Sequence, residues 1–276
     1  MVTGLTPLRA YQVAEEIEDR LLAMRVDAVS RDELNLLTQQ VLEELAGERY
    51  ARNFRRWEDV RSLDVPLVVM IGGATGVGKS TIATRLAVQL NIVRVVATDA
   101  VREVMRSTLT QELMPTLYTS SFEADAALRE PPGRTQETVI MGFREQTAAV
   151  SVGVNAIIER AASEGTSTIV EGVHIVPGFV DPTPYQDRIL AVPVVVTVES
   201  TEMHRGHFAA RAQDDASTRP FHRYLRGFDN IRKVQGYIKE QAASHGVPVI
   251  ANDSLDQTLS ELIDLVVERA TERLRA

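Results

Sequence analysis

The chain has 276 residues, 44% of them hydrophobic, a net charge of −8 and no cysteine. The missing thiols exclude disulfide scaffolds and thiolate metal sites, and the acidic balance excludes a generic nucleic-acid binder. No apolar run approaches the roughly 20 residues of a membrane span, and the opening MVTGLTPLRA lacks a secretory pattern, so neither nucleic acid nor membrane is expected as a partner and a cytoplasmic location is.

Residues 1–62 read as a small helical region. Tyr11–Met24 is amphipathic, and Ser30-Arg-Asp-Glu33 is a capping-box pattern opening a second helix through about Leu45. Ala46–Val60 carries Tyr50, Phe54 and Trp57 at helical spacing, a stripe expected to pack in a core. Asp64-Val-Pro66 marks the boundary to a second domain over 66–276.

Beyond it, short apolar runs alternate with helical patterns, the signature of a parallel sheet wrapped by helices. Strands are expected at Leu67–Ile71, Val93–Ala97, Thr168–Val170, Ile189–Val198 and Pro248–Ala251. Helices are expected at Lys79–Leu90, Ala100–Thr108, Phe143–Ser163, Met203–Ala212, Arg223–His245 and Leu255–Leu274. A long excursion separates the second and third strands and holds the turn Pro131-Pro132-Gly133. Such excursions tend to carry binding sites or lids.

One motif names a chemistry. The first strand runs into Gly73-Ala74-Thr75-Gly76-Val77-Gly78-Lys79-Ser80-Thr81, the phosphate-binding pattern G-x-x-x-x-G-K-[ST] with a strand before it and a helix after. The glycines admit backbone angles closed to other residues, and successive N–H groups at a helix N-terminus form an anion nest. Lys79 suits the β/γ-phosphates and the Ser80 hydroxyl suits Mg²⁺.

Strand ends supply the other candidates, because ligands of open parallel sheets bind at the carboxyl ends of strands. Asp99, after the second strand, can accept a proton from an attacking hydroxyl or hold a Mg²⁺-bound water. The alternative is a helix N-cap. Arg102 and Arg106, one turn apart, can clamp a phosphate or carboxylate. The third strand ends in Glu171, with His174 three residues on. Either can contact substrate, and Glu171 can orient a metal shell. The stretch from Glu199 to Arg223 reads as a closing lid whose Arg205 or Arg211 stabilises transferring charge. His204 and His207 have no third ligand at metal-binding spacing.

IGGATGVGKSTIATRLA, ATDAVREVMR, LTQELMPTLYTSSFEA and TIVEGVHIVPG together resemble the 2-phosphoglycerate kinase family over about residues 66–250. The resemblance implies an α/β P-loop kinase with a three-layer fold, a five-stranded parallel sheet, a helical lid and a small N-terminal helical region. It implies ATP as co-substrate, Mg²⁺ as cofactor and an anionic small-molecule acceptor. Gly73–Thr81 then bind ATP and Mg²⁺, Asp99 and Arg102 face the acceptor, Glu171 and His174 line the site, and Tyr118, Thr119, Ser120 and Ser121 come from the insert. The reaction implied is transfer of the γ-phosphoryl to the free hydroxyl of 2-phosphoglycerate, giving 2,3-bisphosphoglycerate. Another phosphorylated acid, a polyol or inositol phosphate, or a nucleotide sugar stays open as acceptor. So does a nucleotide-dependent switch, though no guanine-reading N-K-x-D string occurs. Residues 1–62 resemble the later part of an ATP-cone, but MVTGLTPLRA is too short and apolar to supply its basic hairpin. A packing or oligomerisation element is expected there, with a homodimer among the partners.

Overall fold

The computed structural model describes residues 5, 7–26, 28–129, 136–214 and 221–275. The turn expected at Pro131-Pro132-Gly133 lies outside them. The chain forms two compact units, one of Met1–Asp64, Val88–Leu90 and Asp264–Ala276, the other of Val65–Ala87 and Asn91–Ile263.

The first unit is built on helices α1 (Pro7–Met24), α2 (Arg31–Leu45) and α3 (Glu48–Arg61). The capping box forms at α2: Ser30 Oγ accepts from the Glu33 N–H at 3.2 Å, and Glu33 Oε2 accepts from the Ser30 N–H at 2.9 Å. Two of the four orphan donors of the helix start are thereby satisfied. Val13, Leu37, Val41, Leu42 and Ala51 form the core, with Tyr50 and Phe54 packed against it, as the aromatic spacing predicts.

The second unit is an α/β fold. Strands β1 (Leu67–Gly72), β2 (Arg94–Ala97), β3 (Thr168–Glu171), β4 (Leu190–Thr197) and β5 (Val249–Ala251) form one sheet in the order β2-β3-β1-β4-β5. Every pairing is parallel. β1 is buried along its whole length, which explains its unbroken apolar sequence. Helices α4 (Lys79–Leu90), α5 (Thr98–Thr108), α6 (Gln136–Glu164), α7 (Thr201–Asp214), α8 (Phe221–Arg226), α9 (Phe228–Ser244) and α10 (Leu255–Arg275) connect and flank the strands. No helix of the described residues is long and apolar enough to cross a membrane.

Three expectations need correction. α6 starts at Gln136, not Phe143. A Cβ on Gly142 would collide with the Ala124–Asp125 backbone, so glycine there serves close approach inside the helix. The helix expected over Arg223–His245 is two, α8 and α9, parted at Gly227, against which the Phe122 ring packs. Asp99 is not an N-cap. Ala97 occupies that position and Asp99 lies inside the first turn of α5, where a carboxylate faces the positive end of the helix dipole.

Candidate active site

The phosphate loop joins the carboxyl end of β1 to α4. Gly76 and Gly78 take φ of +85° and +92°, open to glycine and strained for other residues. The Lys79 ammonium is buried and donates to the Ala74 carbonyl at 2.7 Å, so it lies folded back along the loop. The register of β1 with β3 sets Ile71 beside Glu171. Glu171, itself buried, accepts a hydrogen bond from Ser80 Oγ at 2.8 Å. These hydroxyl and carboxylate oxygens are hard donors of the kind Mg²⁺ takes, and a cation bound mainly through substrate phosphates needs few protein ligands. Among the described residues there is no cluster of three or more His, Cys, Asp or Glu that would form an all-protein metal cage.

A cavity of about 710 Å³ opens over this loop. Thr75, Gly76, Gly78, Lys79, Ser80 and Thr81 of the loop line it, together with Asp99, Arg102, Ser120, Ser121 and Glu171. Arg102 is held rigidly, its Nη1 donating to the Leu117 carbonyl at 3.1 Å and the Thr119 carbonyl at 2.7 Å. Its Nε has no hydrogen-bond partner and stands 3.5 Å from Asp99 Oδ1. The guanidinium thus fastens the insert with one edge while a neighbouring donor faces the Asp99 carboxylate.

Other sequence candidates lie elsewhere. The Arg106 guanidinium stacks 4.7 Å over the Tyr118 ring and pairs with Glu103. The Tyr118 hydroxyl donates to the Arg106 and Leu109 carbonyls, so the two residues fasten the insert to α5. His174 is fully buried, with Nδ1 against Thr98 Oγ1 and Nε2 against Gln146 Oε1, both at 3.0 Å. Gln146 in turn donates to the Thr116 and Thr119 carbonyls, so this network supports the same insert that Arg102 grips. Arg205 covers the Phe228 ring at 4.6 Å and does not line the cavity. The Arg211 side chain lies outside the described residues.

Lining residues that the sequence reading did not single out include Phe208, Arg223, Tyr224 and Asn252, and His207, weighed there only as a metal ligand, lines the cavity too. Asn252 donates to the Val77 carbonyl at 2.9 Å and accepts from Thr258 Oγ1, tying the end of β5 to the phosphate loop. Arg223 donates through Nε to Glu123 Oε2 at 2.9 Å, joining α8 to the insert. The legible signal for Arg223 was its place in the arginine-rich lid stretch. Asn252 had none beyond following a strand.

Burial holds the His174 imidazole down at about 4, opposed by the Asp99 carboxylate and reinforced by the Arg102 and Lys79 charges. Burial likewise holds His204 at about 4. Unfolded histidine titrates near 6.5, so between those values the unfolded chain binds more protons. The stability these groups contribute is complete above about pH 6.5 and declines as pH falls toward 4, by about 1.4 kcal/mol per unit of pKa difference. His174→Gln is expected to flatten this decline, measured as thermal midpoints at pH 7 and pH 5. An identical decline in the variant would remove His174 from the cause.

Comparison with known proteins decides the family. The chain is 40% identical over 259 residues to the 2-phosphoglycerate kinase of Methanothermobacter thermautotrophicus, covering 94% of this chain and 84% of that one. It is 38% identical over 267 residues to the 2-phosphoglycerate kinase of Methanopyrus kandleri, covering 95% and 79%. The chain belongs to the 2-phosphoglycerate kinase family. A third member, from Thermococcus kodakarensis, is 38% identical over 263 residues, covering 95% and 88%. No protein-family model matches the sequence. Membership in the 2-phosphoglycerate kinase family makes this chain a phosphotransferase, in keeping with its phosphate loop and parallel α/β sheet.

Proposed function

We propose that this member of the family transfers the γ-phosphoryl of Mg-ATP to the free hydroxyl of 2-phosphoglycerate, giving 2,3-bisphosphoglycerate. The observation that supports it best is one cavity lined by both the phosphate loop and the Asp99–Arg102 pair. The acceptor carries a phosphate and a carboxylate, which call for convergent cations. Arg102 and Arg223 line the cavity and fill that need, with Arg223 taking the acceptor-clamping part first given to Arg106, while Arg211 keeps the part of stabilising the transferring charge.

In this reading the loop N–H groups and Lys79 hold the ATP phosphates. Ser80 and Glu171 would hold Mg²⁺, and Asp99 would bind a water of the ion. The ion, when bound, neutralises phosphate charge and orients the γ-phosphoryl. The acceptor hydroxyl gives its proton to Asp99 as its oxygen bonds to phosphorus and the bond to the ADP oxygen breaks. Ser120 contacts the acceptor from the insert. His174 and Tyr118 act by holding that insert in place. Residues 1–62 serve packing, in this chain or between two copies, as a domain bounded near Asp64.

A coupled ADP-release assay with Mg-ATP tests the reading against 2-phosphoglycerate, 3-phosphoglycerate, glycerate, inositol phosphates and a nucleotide sugar. Stimulation by 2-phosphoglycerate alone is expected. Stimulation by another compound would replace the substrate, and vigorous acceptor-independent hydrolysis would sink the kinase assignment. In the same assay Arg102→Ala is expected to raise the acceptor KM about tenfold or more, the worth of one charge-assisted hydrogen bond. The KM for ATP should stay put. An unchanged acceptor KM would take Arg102 out of the acceptor site.

A further inference from the structure

Helix α7 approaches the phosphate loop with two histidines three residues apart. His204 Nε2 lies 2.8 Å from the Thr75 carbonyl oxygen, and His207 Nδ1 lies 2.9 Å from that of Gly76. A carbonyl only accepts, so each of these ring nitrogens carries the proton. For His204 the rest of the ring agrees. It is fully buried and its Nδ1 has no hydrogen-bond partner, as the bare nitrogen of a neutral imidazole would be. Burial also keeps this ring neutral at physiological pH.

Phe208 completes the contact. Its ring occupies the space where a Cβ on Gly76 would stand. It is stacked on His204 at 5.4 Å and on Tyr224 at 4.9 Å between ring centroids. A column of three rings therefore backs the loop at the glycine whose φ is +85°.

The peptide unit is planar and trans, so drawing a carbonyl one way turns the following N–H the other way. Two donors on consecutive carbonyls thus fix the planes of the Thr75–Gly76 and Gly76–Val77 peptides. We infer that His204 and His207 are positioning residues that hold the phosphate loop in its anion-binding shape from the base of α7. The inference rests on the nucleotide reading of that loop proposed above. It makes nucleotide affinity, but not acceptor affinity, depend on α7.

The geometry gives crossed rescues. Glutamine places an amide nitrogen near the position of a histidine Nε2, and asparagine places one near Nδ1. His204→Gln should therefore keep the contact that His204→Leu loses. His207→Asn should keep the one that His207→Leu loses. The experiment is titration of the full-length wild type and these variants with a fluorescent ATP analogue and Mg²⁺, beside acceptor KM values and thermal midpoints.

We expect His207→Leu to weaken nucleotide binding about three- to tenfold, the range for one lost hydrogen bond. His207→Asn should lie within about twofold of wild type, and the acceptor KM should be unchanged in both. His204→Leu should fall further than His204→Gln. His207 is only partly buried, so its variants keep the test valid if a His204 variant fails to fold. Wild-type affinity in His207→Leu, equal loss in Leu and Asn, or a parallel rise in acceptor KM would each overturn the inference. A wild-type protein that does not bind the nucleotide would instead overturn the nucleotide reading, and this inference with it.

Discussion

Replacing Lys79 by alanine is expected to lower kcat by about two to three orders of magnitude, the usual cost of one preorganised donor to developing charge. Phosphoryl transfer leaves little covalent work to side chains, so catalysis rests on positioning and electrostatics. Lys79 is the single lysine in the loop, and Lys233 and Lys239 both lie on α9. Its ammonium donates to the Ala74 carbonyl at 2.7 Å, within the loop that would hold a phosphate chain. The fold should survive, because Lys79 sits at the first position of α4, where alanine is a good helix former, and the contacts of His204, His207 and Asn252 with the loop do not involve it. Steady-state kinetics beside circular dichroism and thermal unfolding separate the two effects. A kcat within about tenfold of wild type, in a folded variant, would show that charge at this position is not what accelerates transfer.

Replacing Asp99 by asparagine is expected to lower kcat by about 10²- to 10⁴-fold, the range for losing a general base, while the affinity for ATP stays within a few-fold. Asn keeps the size of the side chain and removes its capacity to take a proton. Asp99 is half exposed and lies in the first turn of α5, with Arg102 Nε 3.5 Å away. Removing the carboxylate also frees Arg102 from its nearest anion, so acceptor binding should hold or tighten as kcat falls. That split marks a loss felt in the transition state and not in the ground state. Near-normal turnover in Asp99→Asn would end its catalytic assignment and leave it a first-turn acid facing the helix dipole.

The phosphate loop, β1 and α4 were legible because their signals are local. Glycine spacing, an apolar run and helical periodicity all lie within Leu67–Leu90, and α4 was expected with the ends it has. The five parallel strands were legible for a similar reason, since each writes its own short apolar run, although β2 and β5 are only partly buried. The capping box at Ser30 needed only four residues. Where a glycine acts through a distant neighbour, local reading failed. The expected helix began at Phe143, and nothing local shows that Gly142 sits inside it against the Ala124–Asp125 backbone. Gly227 passed unnoticed because its partner is Phe122.

The site divides along the same line. Sequence alone determined that this chain has a phosphate loop and acidic strand ends suited to phosphoryl transfer. Strand order decided which acid meets which hydroxyl. Pairing β3 beside β1 brings Glu171 to Ser80 across 91 positions. Tertiary packing also sent His174 into the interior and Arg106 onto Tyr118, and it brought Arg223, Asn252 and His207 to the cavity. A side chain's type is written in the sequence. Its burial and hydrogen-bond partners, which decide whether it meets substrate or supports a neighbour, depend on residues far along the chain and exist only once the sheet has assembled.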